Sequence, residues 1–222
     1  MSQPVQTEGA TKQRDSMAQT PHQNHNNDAI IQARILYYDF FSGLFLFDLL
    51  KNRQDLLKKQ IQILKNFALF PSDEENFQIL ENELATNGIK NFLSEFTLLF
   101  SLPFSSENKK PIHLYLSHYQ ENCIGGKSLV LAKEIIKKSQ HYLNTAFTKE
   151  TEENLGFLFG AMRCFLEEKE FVLAKELFLC CIQPIKTPIY QAIAQRNDSV
   201  LYTRINDILD GFLNLEETIF SN

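Results

Sequence analysis

Along most of the chain apolar residues return every three or four positions, the period of a helix with one buried face. The stretch 153–166, ENLGFLFGAMRCFL, departs from that pattern. Eleven of its fourteen residues are apolar or glycine, and they cover every side of a helical wheel. A helix apolar all round is buried all round. Fourteen residues are too few to cross a bilayer, which takes about 20, so this is expected to be the central helix of a globular core. Gly156 and Gly160 lie one turn apart on one face, where a neighbouring helix can approach closely at a cost of about 1 kcal/mol in helix propensity per glycine. Thr148 or Thr151 offers an N-cap and Glu150, Glu152 and Glu153 suit the first turn, so the helix is expected to start near Glu150.

The other segments read in order as one-faced helices. A first helix over 29–50 sits behind Asn27 or Asp28, with Ile30, Ala33, Leu36, Tyr37, Phe40, Phe41, Leu44, Phe45 and Leu49 inward. A second over 53–70 is stopped by Pro71, and a third is capped by Ser72, carries Asp73, Glu74 and Glu75 in its first turn, and ends at Asn87-Gly88. A fourth spans 89–102. The polar stretch from Pro103 to Pro111 reads as a joint between two helical lobes of the globule. Beyond it come a short apolar segment over 112–119, a turn at Gly125-Gly126, a helix over 127–146, the central helix, a helix over 171–182 ended by Pro184 and Pro188, and a last helix over 198–215 with Val200 and Leu201 on its inner side. No segment alternates with period two, and every proline falls between helices in this reading. The predicted fold is all-α, a single globule of about nine helices.

Composition sharpens the picture. Nineteen Phe, no Trp and only eight Gly suit a helical core, and the 222 residues, 44% hydrophobic, can build a large one. Residues 1–28 contain no Leu, Ile, Phe or Tyr and no apolar run that could serve as a secretory signal; they are expected to be a disordered tail, giving a tail over 1–28, a helical domain over 29–222 and a cytoplasmic location. The net charge of −5 has the wrong sign for a phosphate-backbone binder, which argues against nucleic acid as a partner, and no segment is long and apolar enough for membrane insertion. Cys123, Cys164, Cys180 and Cys181 have no CxxC spacing and read as reduced packing residues.

Catalytic signatures are missing. There is no GxSxG, P-loop, GxGxxG or HExxH. Gly125-Gly126-Lys127-Ser128 matches only the end of a phosphate loop and reads as a turn and helix start, and the scattered His113, His118 and His141 form no obvious base or metal set. No catalytic residue, metal ligand or cofactor is expected, and the chain does not read as an enzyme. Two features ask for an explanation. Arg163 sits inside the most apolar helix, so it needs a carboxylate, with Glu95 the candidate, or a place on an exposed edge. The stretch 149–170 holds six carboxylates against three cations.

Several motifs together resemble the all-helical chaperones of the TorD, DmsD and NarJ type, which assist maturation of molybdenum-containing respiratory enzymes. Arg34-x-x-Tyr37 followed by Gly43-Leu44-Phe45 resembles that family's opening helix. Glu95-Phe96-Thr97-Leu98-Leu99-Phe100 before Pro103 is similar to its E-Y-x-x-L-F segment, and Pro111 to Tyr115-Leu116 to its P-x-x-S-x-Y-L segment, one residue shorter and with His113 where serine is expected. Glu153-Asn154-Leu155-Gly156 stands where many members carry Asp-His-Leu-Gly, a hinge motif associated with ligand binding. Asn154 cannot titrate near neutral pH as that histidine could, and Leu158 and Gly160 occupy positions that are commonly acidic in the family.

The resemblance implies a cytoplasmic chaperone, monomeric or dimeric, that binds the twin-arginine signal peptide and apo form of a molybdoenzyme catalytic subunit. It implies a peptide-binding surface containing Glu95, Pro111, Tyr115, Glu150, Glu152, Glu153 and Asn154. An acidic helical protein suits such a ligand, since charge steers the arginines and burial holds the apolar run. The alternative is a helical scaffold or adaptor without cargo specificity.

Overall fold

The computed structural model describes the backbone of residues 21–102, 110–139 and 148–221, with side chains from Asp28 onward. Among these residues there are eleven α-helices and no β-strand. They are α1 (Pro21–Phe45), α2 (Phe47–Asn52), α3 (Gln54–Asn66), α4 (Pro71–Asn87), α5 (Lys90–Phe96), α6 (Leu116–Glu121), α7 (Lys127–Lys137), α8 (Leu155–Glu167), α9 (Phe171–Leu177), α10 (Gln183–Ala194) and α11 (Leu201–Ser221). Helix α4 ends as its sequence requires: Gly88 takes φ of +63°, and its N–H closes on the carbonyl of Leu84.

Helix α8 is the centre of the molecule. Its residues Leu155–Phe159, Ala161, Met162, Phe165 and Leu166 are all buried. It packs on α1 through the two glycines. A Cβ on Gly156 would lie 2.7 Å from the backbone of Phe45, and one on Gly160 would lie 3.1 Å from Ser42 Oγ. Ser42 donates a hydrogen bond of 2.9 Å to the carbonyl of Gly156 across the crossing. Tyr38, Phe41, Phe45, Phe159 and Phe212 then form a contiguous set of tilted and edge-on ring contacts between α1, α8 and α11.

One core runs from Tyr37 to Phe220 and takes in residues on both sides of the stretch 103–111. Two lobes are therefore not separated in the described residues; residues 103–109 of the expected joint lie outside them. The reason is visible in the side chains that cross between the halves. Arg34 of α1 forms a buried bidentate pair with Glu216 of α11, at 2.6 and 2.9 Å, with Tyr38 donating to the same carboxylate and Phe220 lying under the guanidinium at 4.9 Å. Tyr202 of α11 donates to the carbonyl of Leu44.

Several boundaries differ from the sequence reading. Helix α1 starts at Pro21, so the last eight residues of the expected tail are helical; residues 1–20 lie outside the described ones. Ile30, expected inward, is 53% exposed because this end of α1 runs past the core. The first helix breaks at Leu46, whose extended backbone turns the chain into α2. The helix expected over 127–146 is α7 as far as Lys137, and residues 140–147 lie outside the described ones. Val200 is 62% exposed, one residue before α11.

The prolines at the end of α9 do not stop the chain. A π-turn, Phe178–Ile182, joins α9 directly to α10, with Pro184 in the first turn of α10 and Pro188 inside it. Pro184 falls where an N–H is not required. An interior proline costs about 3 kcal/mol, which burial of Ile185, Ile189 and Ile193 offsets at about 1.5–3 kcal/mol each.

Candidate functional site

Residues 110–115 cross the surface as an extended strap between the end of the α5 run and α6. The strap is pinned along its length by backbone bonds: Ile112 N–H to the carbonyl of Leu99 at 2.8 Å, Leu155 N–H to the carbonyl of Leu114 at 2.8 Å, and Leu116 N–H to the carbonyl of Glu153 at 3.2 Å. Tyr115 and Asn154 form an isolated antiparallel bridge. This pairing is why the central helix does not begin near Glu150. Residues 151–154 form a turn, closed by Asn154 N–H on the carbonyl of Thr151 and paired with the strap through Glu153 and Asn154, and α8 starts at Leu155 with Asn154 as N-cap, its Oδ1 accepting from Gly156 N–H and Phe157 N–H at 2.9 and 3.4 Å.

Four of the seven predicted residues meet here. The Tyr115 hydroxyl donates to Glu150, and Asn154 Nδ2 donates to the same carboxylate at 3.2 Å. Burial and then the Glu150 carboxylate raise the Tyr115 pKa, so the phenol stays protonated and acts as a donor. Glu153 is 0% exposed and does not belong to a surface acid cluster. Its carboxylate points inward and accepts Ser117 N–H at 2.8 Å and Gly125 N–H at 2.7 Å. Glu152 lies at the edge, 3.7 Å from Lys133 of α7.

Pro111 stands near the start of the strap. Glu95 lies beyond that start, in α5. Its carboxylate occupies the N-terminus of α11, accepting from the Ser199 hydroxyl and from the N–H groups of Val200, Leu201 and Tyr202 at 2.8–3.1 Å. That position completes the free donors of the first turn and meets the positive end of the helix dipole. Glu95 is thus not the partner of Arg163, which lies on an exposed edge of α8 with 34% of its side chain accessible, 3.3 Å from Glu167 and 3.7 Å from Asp39. Sequence reasoning missed Arg196. Buried in the loop before α11, it pairs with Asp198 at 2.7 and 2.8 Å and donates to the carbonyls of Lys110 and Leu98 at 3.3 and 3.4 Å, tying the strap's first residue to the α5 run.

The loop that resembled the end of a phosphate loop is already filled by carboxylates. Glu121 accepts from Lys127 N–H, Ser128 N–H and the Ser128 hydroxyl, while Glu153 takes Gly125 N–H. An anion would have to displace Glu121 from the start of α7. Beside the strap, the rings of His113 and His118 lie 4.1 Å apart, and Tyr119 donates to the carbonyl of His113. Burial, and then the neighbouring His113, hold the His118 pKa below its ordinary value. Among the described residues no group of three or more His, Cys, Asp or Glu converges as metal ligands, and no helix is long and apolar enough to cross a membrane. The arrangement is a short pinned strap whose hydroxyl, amide and backbone donors are bonded within the protein, with the rings of His113, Tyr115, His118 and Tyr119 along it.

No protein-family model and no curated protein matches the sequence. Among solved structures, the chain is similar to a crystal structure of a protein from Archaeoglobus fulgidus, provisionally described as a redox enzyme maturation protein, with a TM-score of 0.50 and 18% identity over 90% of this chain and 99% of that one. At that identity the likeness establishes a common all-helical fold.

Proposed function

We propose that this protein is a maturation chaperone that binds the twin-arginine signal peptide and apo form of a molybdenum-containing oxidoreductase subunit. The observation that carries the reading is the junction of the strap with residues 153–155. Two segments that separately resemble motifs of one chaperone family, some 40 residues apart in sequence, lie side by side with Tyr115, Glu150 and Asn154 in one hydrogen-bonded group. The fold shared with a protein described as a redox enzyme maturation protein supports the same reading.

The carboxylates assigned to the peptide differ from those the sequence suggested. Glu95 and Glu153 hold the frame, and Glu150 and Glu152 are left to face a basic segment. Tyr115 offers an aromatic face next to them. Fluorescence anisotropy with the leader peptide of a candidate molybdoenzyme tests this. Binding should weaken with salt without vanishing, since ionic steering is screened over about 8 Å at physiological ionic strength while apolar burial persists. Replacing Glu150 and Glu152 together by Gln should lower affinity and flatten the salt dependence. Tyr115→Ala should weaken binding at every salt concentration. Failure of the parent protein to bind any such leader would overturn the chaperone reading; unchanged binding by the double Gln variant would move the site elsewhere.

A further inference from the structure

The turn between α3 and α4 carries an exposed apolar surface that the strap does not use. Phe67 is 77% exposed, Ile63 one turn before it is 47% exposed, and Phe70 remains 40% exposed although its ring leans on α11 at Gly211. Isolated exposed apolar residues are ordinary, but three clustered at one helix turn are the kind of patch that partners cover. What surrounds them is acidic. Glu74 and Glu75, in the first turns of α4, are exposed and make no ion pair among the described residues. On the α11 side stand Asp207, one turn before Gly211, and Asp210, next to it. Asp73 and Asp210 each interact electrostatically with Asp207, and Arg204 is the cation that offsets it. On α3, Lys65 is committed to Glu81 and Gln78, and of the two exposed lysines Lys58 acts on Glu81 while Lys59, one turn before Ile63, stands at the far end of the patch.

The charge selects the occupant. A second copy of this chain meeting the same face by two-fold symmetry would set these carboxylates against one another. An anionic membrane surface would be repelled by them. The polar segment 1–20, with no Leu, Ile or aromatic residue, has little to bury against Phe67. We infer that the α3–α4 turn and the middle of α11 form a docking surface for a cationic, apolar polypeptide segment, with its basic residues over Glu74, Glu75, Asp207 and Asp210 and its apolar side chains on Phe67, Phe70 and Ile63. This inference is independent of the Tyr115 strap, which belongs to other elements.

The test uses the full chain and a short fluorescein-labelled peptide built of Lys, Leu and Phe, with a peptide carrying Glu in place of Lys as control. The basic peptide should bind and the acidic one should not. Phe67→Ser should lower affinity by about tenfold or more, as truncation of a central aromatic anchor does. Glu74→Gln with Glu75→Gln should flatten the salt dependence, and both variants should melt with the parent because the altered side chains are exposed. The inference is overturned if Phe67→Ser binds as the parent does, if Glu134→Gln on the exposed face of α7 weakens binding as much as the α4 pair, or if the acidic peptide binds equally. It is also overturned if sedimentation shows Phe67 mediating self-association, or if Tyr115→Ala rather than Phe67→Ser removes the peptide; the last result would leave the strap as the binding site and the chaperone proposal intact.

Discussion

Asp73 shows how one carboxyl can work against the fold it belongs to. It is buried at the start of α4 with Oδ2 unpaired, and burial raises its pKa from 3.8 to about 6. The folded state therefore holds the proton more tightly than the unfolded chain. Its contribution to stability falls as pH rises from about 4 to about 6, and the loss is complete above that. Asp73→Asn should stabilise the protein by roughly 1–3 kcal/mol at pH 7 and leave stability at pH 4 nearly unchanged, by urea titration at the two pH values. The helix dipole opposes this, because an acid in the first turn is worth only about 0.3–1 kcal/mol, so the sign holds. Glu153 is the opposite case. Both its oxygens accept backbone N–H groups, so Glu153→Gln presents an NH₂ to one of those donors and should cost roughly 1–3 kcal/mol. Hydrogen exchange at Gly125 and Ser117 should speed up with it; unchanged protection there would refute the assignment.

At the scale of elements, the α1–α8 crossing is set by glycine. A Cβ on Gly156 meets backbone, which cannot rotate away, whereas one on Gly160 meets a serine hydroxyl at 3.1 Å. Gly156→Ala should therefore cost roughly 1–3 kcal/mol or more through overpacking, and Gly160→Ala distinctly less, because helix propensity favours alanine by about 1 kcal/mol and the Ser42 side chain can yield. Gly160→Leu exceeds that allowance and should destabilise. Equal urea midpoints for Gly156→Ala and the parent would mean that the two helices pack less closely than described.

The whole molecule is closed by ties between distant parts of the chain. Arg34 and Glu216 are 182 residues apart in sequence and form a buried ion pair. Removing one partner of such a pair leaves a charge uncompensated, so Arg34→Met should cost about 3–5 kcal/mol. Arg34→Met with Glu216→Met should recover much of that loss, in a double-mutant cycle followed by thermal melting. If the double variant is no better than the single one, the pair is not the tie between α1 and α11.

What the sequence determined by itself were the quantities that local chemistry fixes. The 3.6-residue recurrence of Phe and Leu gave helices, the run at 155–166, apolar but for Arg163, gave a buried central one, and Gly88 gave a C-cap because glycine takes a positive φ at no steric cost. Arg34 and Glu216 could have been suspected on the reasoning applied to Arg163, a charge among apolar neighbours, but periodicity cannot say which carboxylate meets which guanidinium. Only the tertiary structure decided the rest. Thr148 and Thr151 were sound caps by propensity, yet the strap captured 151–154 and moved the helix start to Leu155. Glu95, Glu150, Glu152 and Glu153 look alike as letters and differ once folded: one caps α11, one accepts from Tyr115, one lies near Lys133, one is sealed inside. The physical reason is that a carboxylate's role is set by the donors brought to it, and those come from segments far away in sequence.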